Sequence, residues 1–519
     1  MPAPPLTERH HMEDRHADIH RDVRLSHLVG TLRILLPTTV VFATYPVLLR
    51  RAGLEVLGVW SLLSTVVGYT GLLDIGFTSV LTKAMATGTR ELDVARLAVW
   101  RRSAAASYLV GGIALAIGGL LVGSHLAAFG VASRFQRAVM IGLVALILAT
   151  VCQLMMKLEL TVFKANHQTY VEQWVLSLAT TLTYLAGLVG AYLDRPIEAL
   201  ALGALVSNGL LYIWVWAAAR KTFPDLFRAL VSASRPIRVA DFRDLVRHGK
   251  HFFSLSLVFV VREPVFRLLI AWILGAGALG LYDIANRTPM FIRELGASGS
   301  QSLFAGLART DSSAGRGETE RVLRAALFYL LAIGGTGLAF FAVNRDLVFS
   351  VWLGKGAPSG LSLAGLLMAV WWGITLLNVP FYWLLQARGL EKPLANSVWL
   401  HAASVVAVVA VARPSLHSLP AVLAVWIVTG IATQLYIYVL AERATHLTTA
   451  ILLNRNVLLY LICCLILVCA GVWVQGRWVH VSLQSLFVFA LSWLAAYGLV
   501  CGPPLWKVRP ARLTTGSTA

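Results

Sequence analysis

Charged residues are scarce in this 519-residue chain: Asp, Glu, Lys and Arg together make up 13% of the sequence, whereas 58% of the residues are hydrophobic. Water-soluble domains contain about 25% charged residues, so this composition argues against a soluble globular protein. Long polar stretches are scarce too. The longest interruption between apolar runs, about residues 219–250, is too short for a folded domain outside a membrane. The sequence therefore excludes a soluble enzyme domain and predicts that the chain is not an enzyme.

Motifs that would indicate redox, metal or nucleotide chemistry are also missing. The five cysteines form no C-x-x-C pair and lie within apolar runs, which predicts buried, reduced thiols. No Walker A loop is present, and this excludes direct ATP coupling by the chain itself. The histidines before residue 21 could bind a metal, but the polar segment around them is more typical of a solvated tail. We predict neither a cofactor nor a resident metal.

Apolar runs long enough to cross a bilayer recur from residue 28 to residue 503. A spanning helix needs roughly 20 mostly apolar residues, because hydrocarbon offers no partner for backbone polar groups. We predict an all-α polytopic membrane protein with about fourteen transmembrane helices. Their expected positions are 28–49, 57–80, 104–124, 137–157, 171–192, 197–218, 251–275, 278–306, 323–343, 360–386, 392–411, 419–441, 456–474 and 483–503.

The basic residues predict the orientation of the chain. Lys and Arg cluster before the first predicted span, in the segment after the second and in the segment after the sixth, whereas the alternate segments carry few. Positive charge is retained on the cytoplasmic side, so both termini should be cytoplasmic. The net charge of +19 then reflects basic loops against an anionic leaflet, and no folded domain supports nucleic-acid binding.

A short internal repeat indicates two related halves. The sequence Leu57-Gly58-Val59-Trp60 is matched 222 residues later by Leu279-Gly280-Leu281-Tyr282. Six predicted spans separate the copies, and an even number means that both halves enter the membrane from the same side. We therefore expect two six-helix lobes related by a pseudo-twofold axis along the membrane normal, with a cavity between them. The expected segments are a tail at 1–27, the lobes at 28–218 and 251–441, a basic linker at 219–250, and two further helices with a tail at 442–519.

Charged side chains within the predicted spans are candidates for a functional site. Glu263 and Arg267 lie four residues apart, as do Asp283 and Arg287, so each pair shares one helix face. Buried charges in a membrane are costly, and they should face protein or water. They are either internal salt bridges or the lining of a cavity. Arg262 has no acidic partner at helical spacing, which favours the cavity lining.

Further candidates leave similar alternatives open. Arg33 lies near the cytoplasmic end of its span, where it could simply snorkel to the surface. Asp74 is either a cation or proton site or, the reading we favour, a buried cap. Trp371, Asn378 and Tyr382 recur on one face of the tenth span and suit a sugar ring, but they suit ordinary helix packing slightly better.

Two stretches resemble a known family. LGVWSLLSTVVGYTGLLDIGFTSVLTKAMA at 57–86 and GALGLYDIANRTPMFIRELGASGSQSLFAGLAR at 277–309 are similar to the second-span and eighth-span regions of Wzx-type polysaccharide flippases, in the superfamily of the MATE exporters and the MurJ lipid II flippases. The resemblance covers roughly residues 28–441. It implies a twelve-helix core in the bacterial inner membrane that flips an undecaprenyl-diphosphate-linked oligosaccharide for O-antigen, capsule or exopolysaccharide assembly.

The resemblance also implies how the site residues act. Arg262 and Arg287, helped by Arg267 and Arg33, would hold the diphosphate, because guanidinium groups bind phosphate in a bidentate manner. Asp74, Glu263 and Asp283 are candidate carboxylates for coupling to a proton or sodium gradient. The expected partners are the lipid-linked substrate, membrane lipids, a polysaccharide polymerase and glycosyltransferases. A cation-coupled drug exporter of the MATE type and a lipid II flippase remain alternatives.

Overall fold

The computed structural model describes residues 32, 34–68, 73–74, 76–86, 94–166, 168–224, 227–228, 236, 238–297, 316–354, 357–478 and 482–508. Within these ranges every long regular element is a helix. The helices before residue 240 are α1 at 34–52, α2 at Leu54–Gly68, α3 at Phe77–Ala86, α4 at Val94–Gly123, α5 at Gln136–Ala165, α6 at Thr169–Tyr192, α7 at Pro196–Thr222 and α8, which begins at Val239 and ends at Leu274. The all-α prediction is confirmed.

The remaining helices continue this pattern to the C-terminal end of the described chain. They are α9 at Ala276–Ala297, α10 at Arg316–Leu330, α11 at Thr336–Leu353, α12 at Leu361–Ala387, α13 at Glu391–Ala412, α14 at Leu419–Thr445, α15 at Thr448–Leu452, α16 at Arg455–Trp478, α17 at Leu483–Val500 and α18 at Gly502–Val508. Residues Leu331–Gly335 between α10 and α11 form a π-helical turn.

Nine helices in the described part of the chain are long and apolar enough to cross a bilayer. They are Arg96–Leu121, Ser133–Ala165, Thr169–Tyr192, Pro196–Thr222, Thr319–Leu353, Leu361–Ala387, Lys392–Ser415, Leu419–Thr445 and Arg455–Val474. Each of them overlaps a predicted span. Helices α8 and α9 carry several charges and fall outside this set, so the total of fourteen stays a prediction.

The predicted second span does not appear as one continuous helix in the described residues. Gly76 has a φ of 74°, a left-handed conformation that suits glycine, and α3 begins directly after it. The predicted span at 57–80 therefore covers α2 and the first residues of α3. Hydropathy did not reveal this break, because Ile75 and Phe77 next to Gly76 are apolar and most of the surrounding residues are apolar too.

The chain divides into two compact units. Unit 1 contains Met1–Arg51 and Leu62–Pro264, and unit 2 contains Ala52–Ser61 and Val265–Ala519. The division after Pro264 falls inside α8, at a residue whose ring removes one backbone hydrogen bond of that helix.

The core of unit 1 is formed by α5, which packs against α4 and α7, and by α6, which packs against α7. One buried cluster joins Phe77, Tyr108 and Leu158. A second lies around Phe163 and Val215. Hydrocarbon provides little hydrophobic force between helices, so close van der Waals packing of this kind holds the bundle together.

In unit 2, α12 lies between α9 and α14, and α13 packs against α14. Aromatic rings fill the space between these helices. Trp426 stacks on Phe266 at 3.9 Å between ring centroids, and Trp371 meets Trp426 edge-on at 5.6 Å. This packing fixes α8 beyond Pro264 against the rest of the unit.

The π-helical turn is held by the two helices near the C-terminal end. The hydroxyl groups of Tyr460 on α16 and Tyr497 on α17 both donate to the carbonyl oxygen of Leu331, at 3.1 Å and 3.3 Å. A π-helical turn disturbs the regular backbone pairing, and an unpaired carbonyl would be costly in a membrane. The two tyrosines therefore stabilise an irregular segment that lies next to α9.

Candidate functional site

A buried carboxylate lies at the centre of the polar cluster in unit 2. Asp283 on α9 is 2% exposed. Its Oδ2 atom is 3.3 Å from the Nη2 atom of Arg287, one helical turn further along α9. The spacing of four residues places both side chains on one face, as the sequence predicts.

A second arginine reaches the same carboxylate from the neighbouring helix. The Nη2 atom of Arg267 on α8 is 3.2 Å from the Oδ1 atom of Asp283. Its Nη1 atom donates to the Oγ atom of Ser61 on α2 at 2.9 Å. Each oxygen of Asp283 thus contacts one guanidinium group. Two positive charges and one negative charge meet here, so the three groups carry a net charge of +1.

Two glycines make this arrangement possible. A Cβ atom on Gly58 would overlap the carbonyl oxygen of Ala276, and one on Gly280 would overlap the carbonyl oxygen of Leu54 and lie 2.9 Å from the backbone nitrogen of Gly58. Helices α2 and α9 therefore cross with their backbones in contact, as small residues permit in membrane proteins. Gly58 and Gly280 occupy the same position in the two copies of the sequence repeat.

The crossing brings a second pair of equivalent residues to the same arginine. Ser61 follows Gly58 by three residues, and Asp283 follows Gly280 by three. Both side chains bind Arg267, one through each terminal nitrogen. The repeat thus places a hydroxyl on one side of Arg267 and a carboxylate on the other.

Helix α9 makes further polar contacts with α12. The indole nitrogen of Trp372 on α12 donates to the Oδ1 atom of Asn286 at 2.7 Å. The guanidinium carbon of Arg293 lies 5.5 Å from the centroid of the Trp372 ring, within the range of a cation–π interaction. Polar contacts of α9 therefore occur both around Asp283 and around Trp372.

Of the predicted arginines, Arg267 and Arg287 contact Asp283. Arg262 and Glu263 lie half-buried in the last residues of unit 1, and Arg33 lies outside the described residues. Arg267, which the sequence pairs with Glu263 by spacing, contacts Asp283 on the next helix. Spacing along one helix does not indicate which helix packs beside it.

Asp74 has the contacts of a helix cap in unit 1. Its carboxylate accepts hydrogen bonds from the backbone nitrogen of Thr78 at 3.1 Å and from the Thr78 hydroxyl at 2.6 Å. The hydroxyl of Tyr108 donates to it at 2.6 Å. A carboxylate near the first turn of α3 satisfies backbone N–H groups that lack a partner within the helix. These contacts correspond to the cap that the sequence favours over an ion site.

The aromatic and amide stripe of α12 is covered by other helices of unit 2. Trp371 is 1% exposed and packs against His401 and Trp426. The amide of Asn378 bonds to that of Gln434 on α14, and the Tyr382 hydroxyl accepts from Gln386 at 2.6 Å. For Trp371 and Asn378, these are the contacts of helix packing, the alternative that the sequence slightly favours.

Unit 1 contains a buried ion pair that the predicted spans do not indicate. Arg101 on α4 pairs with Glu159 on α5, and the carboxylate is 2% exposed. The fourth predicted span ends at 157, which leaves Glu159 outside it, whereas α5 continues to Ala165. The apolar residues after Glu159 are the signal that would have extended the span.

We expect Arg101→Ala to destabilise unit 1 by about 3–5 kcal/mol, because it leaves a buried carboxylate without its partner. The double variant Arg101→Met, Glu159→Gln should recover most of this loss, since no buried charge remains. Thermal unfolding of the purified protein in detergent measures both. If the two variants unfold at the same temperature, the pair does not contribute through its charge.

A third ionic contact lies outside the predicted spans, where α8 begins. The Nη2 atom of Arg96 on α4 is 2.5 Å from the Oδ2 atom of Asp244, and the Nδ1 atom of His248 is 3.5 Å from Oδ1. Partial burial raises the pKa of Asp244, but the hydrogen bond and charge of Arg96 outweigh this effect, so the pKa lies below its ordinary value. The contact connects the beginning of α8 to α4.

None of the His, Cys, Asp and Glu side chains of the described residues forms a group of three that could hold a metal ion. The histidines near the N-terminus lie outside the described residues.

Long apolar helices and a charged cluster inside one of two compact units define a multi-pass membrane protein. Its fold is that of known lipid flippases and drug transporters. The lipid II flippase MurJ in an inward closed conformation is similar with a TM-score of 0.69 and 10% identity, over 91% of this chain and 98% of that one. A multidrug resistance transporter of the MATE family, in an inward-facing conformation, gives 0.65 and 12% identity, over 81% and 99%.

A third similar structure is a transporter of the MOP superfamily from Pyrococcus furiosus. It has a TM-score of 0.53 and 11% identity, over 82% of this chain and 96% of that one. No curated protein sequence matches the chain significantly. The model of a family described as polysaccharide biosynthesis protein matches residues 55–355. The chain belongs to this family, and the match includes the glycine crossing and all three charged residues of the cluster in unit 2.

Proposed function

We propose that the protein flips an undecaprenyl-diphosphate-linked oligosaccharide across the bacterial inner membrane by alternating access, for the assembly of a surface polysaccharide. The observation that carries the proposal is the meeting of Arg267 and Arg287 at the single carboxylate of Asp283. The membership of a polysaccharide biosynthesis family supports the class of cargo. On this proposal the protein is a carrier and not an enzyme.

The charge of the cluster suits a diphosphate. A net positive charge with apolar surroundings attracts an anion strongly, because a low local dielectric screens the charge poorly. Guanidinium groups bind phosphate oxygens through two parallel N–H bonds. A cation-coupled drug exporter would need an excess of acids at this place. The cluster has the opposite balance, so it favours the anionic cargo.

The source of energy is part of the proposal. The sequence contains no Walker A loop, and we expect either an ion gradient or the consumption of the product by a polymerase to drive transport. Glu263 on α8 and Asp283 on α9 are two candidates for coupling transport to an ion gradient. Asp74 is the weakest candidate of the three, because its oxygens cap α3 and bind Tyr108.

Deletion of the gene tests the proposed cargo. We expect loss of a surface polysaccharide and accumulation of its undecaprenyl-diphosphate-linked repeat unit in the cytoplasmic leaflet, measured by mass spectrometry of lipid extracts and by access of an added periplasmic glycosidase. Complementation with the unaltered gene should restore the polymer and clear the intermediate.

Two other outcomes would replace the proposal. Accumulation of lipid II with loss of viability would indicate a lipid II flippase. Normal polysaccharide with new sensitivity to cationic drugs would indicate an exporter of the MATE type, and attention would then move to the carboxylates.

A further inference from the structure

The two arginines of the cluster are held differently. Arg267 is bound at both terminal nitrogens by side chains from two other helices, Ser61 on α2 and Asp283 on α9. Arg287 contacts Asp283 on its own helix at 3.3 Å, and its side chain is 22% exposed against 15% for Arg267. Moving Arg267 would break contacts to two other helices, whereas moving Arg287 away from Asp283 breaks a contact within α9.

The carboxylate can release one arginine without losing both. Asp283 uses one oxygen for each guanidinium group. If Arg287 turns away towards another anion, Asp283 keeps its contact with Arg267 and is not left buried without a counter-charge. A diphosphate offers more negative charge and more acceptor oxygens than a single shared carboxylate oxygen, so it competes well for Arg287.

We propose that Asp283 is a positioning residue that holds Arg287 in place until a diphosphate takes it, and that Arg267 with Ser61 fixes Asp283 instead of binding the diphosphate. The inference rests on the proposed function, since it assigns roles within the site that would bind the lipid-linked diphosphate. It divides the two arginines into one that binds the cargo and one that holds the carboxylate.

The sequence repeat provides a sharp test of this division. Ser61 and Asp283 are equivalent positions on opposite sides of Arg267. The double variant Ser61→Asp, Asp283→Ser moves the carboxylate to the other side of Arg267 and leaves the composition and net charge unchanged. Arg267 keeps a carboxylate and a hydroxyl, but Arg287 loses the carboxylate one turn before it on α9.

The experiment measures binding of undecaprenyl diphosphate to the purified full-length protein in lipid nanodiscs. We expect Asp283→Asn and the double variant to bind this lipid about 5- to 10-fold more tightly than the unaltered protein, because residue 283 no longer competes with the diphosphate for Arg287. Glu320→Gln removes the acid of a similar i,i+4 pair with Arg324 on α10 and is the matched control.

The outcomes separate this inference from the proposed function. If the unaltered protein does not bind undecaprenyl diphosphate, the proposed cargo is wrong and the inference falls with it. If it binds, but Asp283→Asn and the double variant bind equally or more weakly, only the inference is overturned. Should Asp283→Asn fail to fold, the double variant decides alone, because a merely structural role predicts unaltered binding once Arg267 has regained its carboxylate.

Discussion

Replacing Arg287 with alanine is expected to lower transport by about 10- to 100-fold while the amount of folded protein in the membrane stays normal, because hydrogen bonds to charged groups contribute about 1.5–3 kcal/mol each. The fold should survive, since Asp283 keeps Arg267 as its partner. Arg287→Lys should retain an intermediate rate, because an ammonium group keeps the charge but not the planar pair of donors. Two measurements report the effect. One is the amount of surface polymer exported, and the other is the ratio of lipid-linked intermediate in the cytoplasmic leaflet to that in the periplasmic leaflet.

Arg324→Ala is the matched control for this variant. Arg324 pairs with Glu320 four residues earlier on α10, at 2.6 Å, which reproduces the local geometry of Arg287 and Asp283 on another helix. We expect polymer export to stay within about twofold of the unaltered protein, since a partly exposed pair on one helix contributes about 1 kcal/mol or less. Unchanged export in Arg287→Ala, at normal protein levels, would refute the assignment of the diphosphate site.

The crossing of α2 and α9 should be sensitive to any side chain larger than that of glycine. Gly280→Ala places a Cβ atom against the backbone of Leu54 and Gly58, and backbone atoms cannot move aside as the end of a flexible side chain does. We expect a loss of at least about 1–3 kcal/mol, the usual cost of overpacking. Transport should fall as well, because the crossing aligns Ser61 and Asp283 on Arg267.

Gly277→Ala is the control on the same helix. Gly277 also lies in the first turn of α9, and a Cβ atom there would meet nothing within 4 Å. It should be neutral or stabilising by up to about 1 kcal/mol, because alanine has the higher helix propensity. Unfolding temperature in detergent and the yield of folded protein measure both variants. Equal behaviour of Gly277→Ala and Gly280→Ala would show that the close crossing does not limit stability.

Several features of the protein follow from the sequence by itself. Hydropathy predicts most of the helices, since nine predicted spans overlap long apolar helices in the described residues. The spacing of Asp283 and Arg287 predicts their contact, because residues four apart are neighbours on one helix. The repeat singles out Gly58 and Gly280, although the sequence does not show that the two glycines face each other.

Other features depend on which helices lie side by side, and the tertiary structure decided these. Arg267 contacts Asp283 and Ser61 on two other helices, which its spacing along α8 does not indicate. Trp371 and Asn378 share a face by periodicity, but only the packing of α13 and α14 shows that this face is covered. Periodicity reports the direction of a side chain from its own helix axis, whereas a contact between helices depends on their crossing. In this protein that crossing is set by two glycines whose missing side chains let the backbones of α2 and α9 meet.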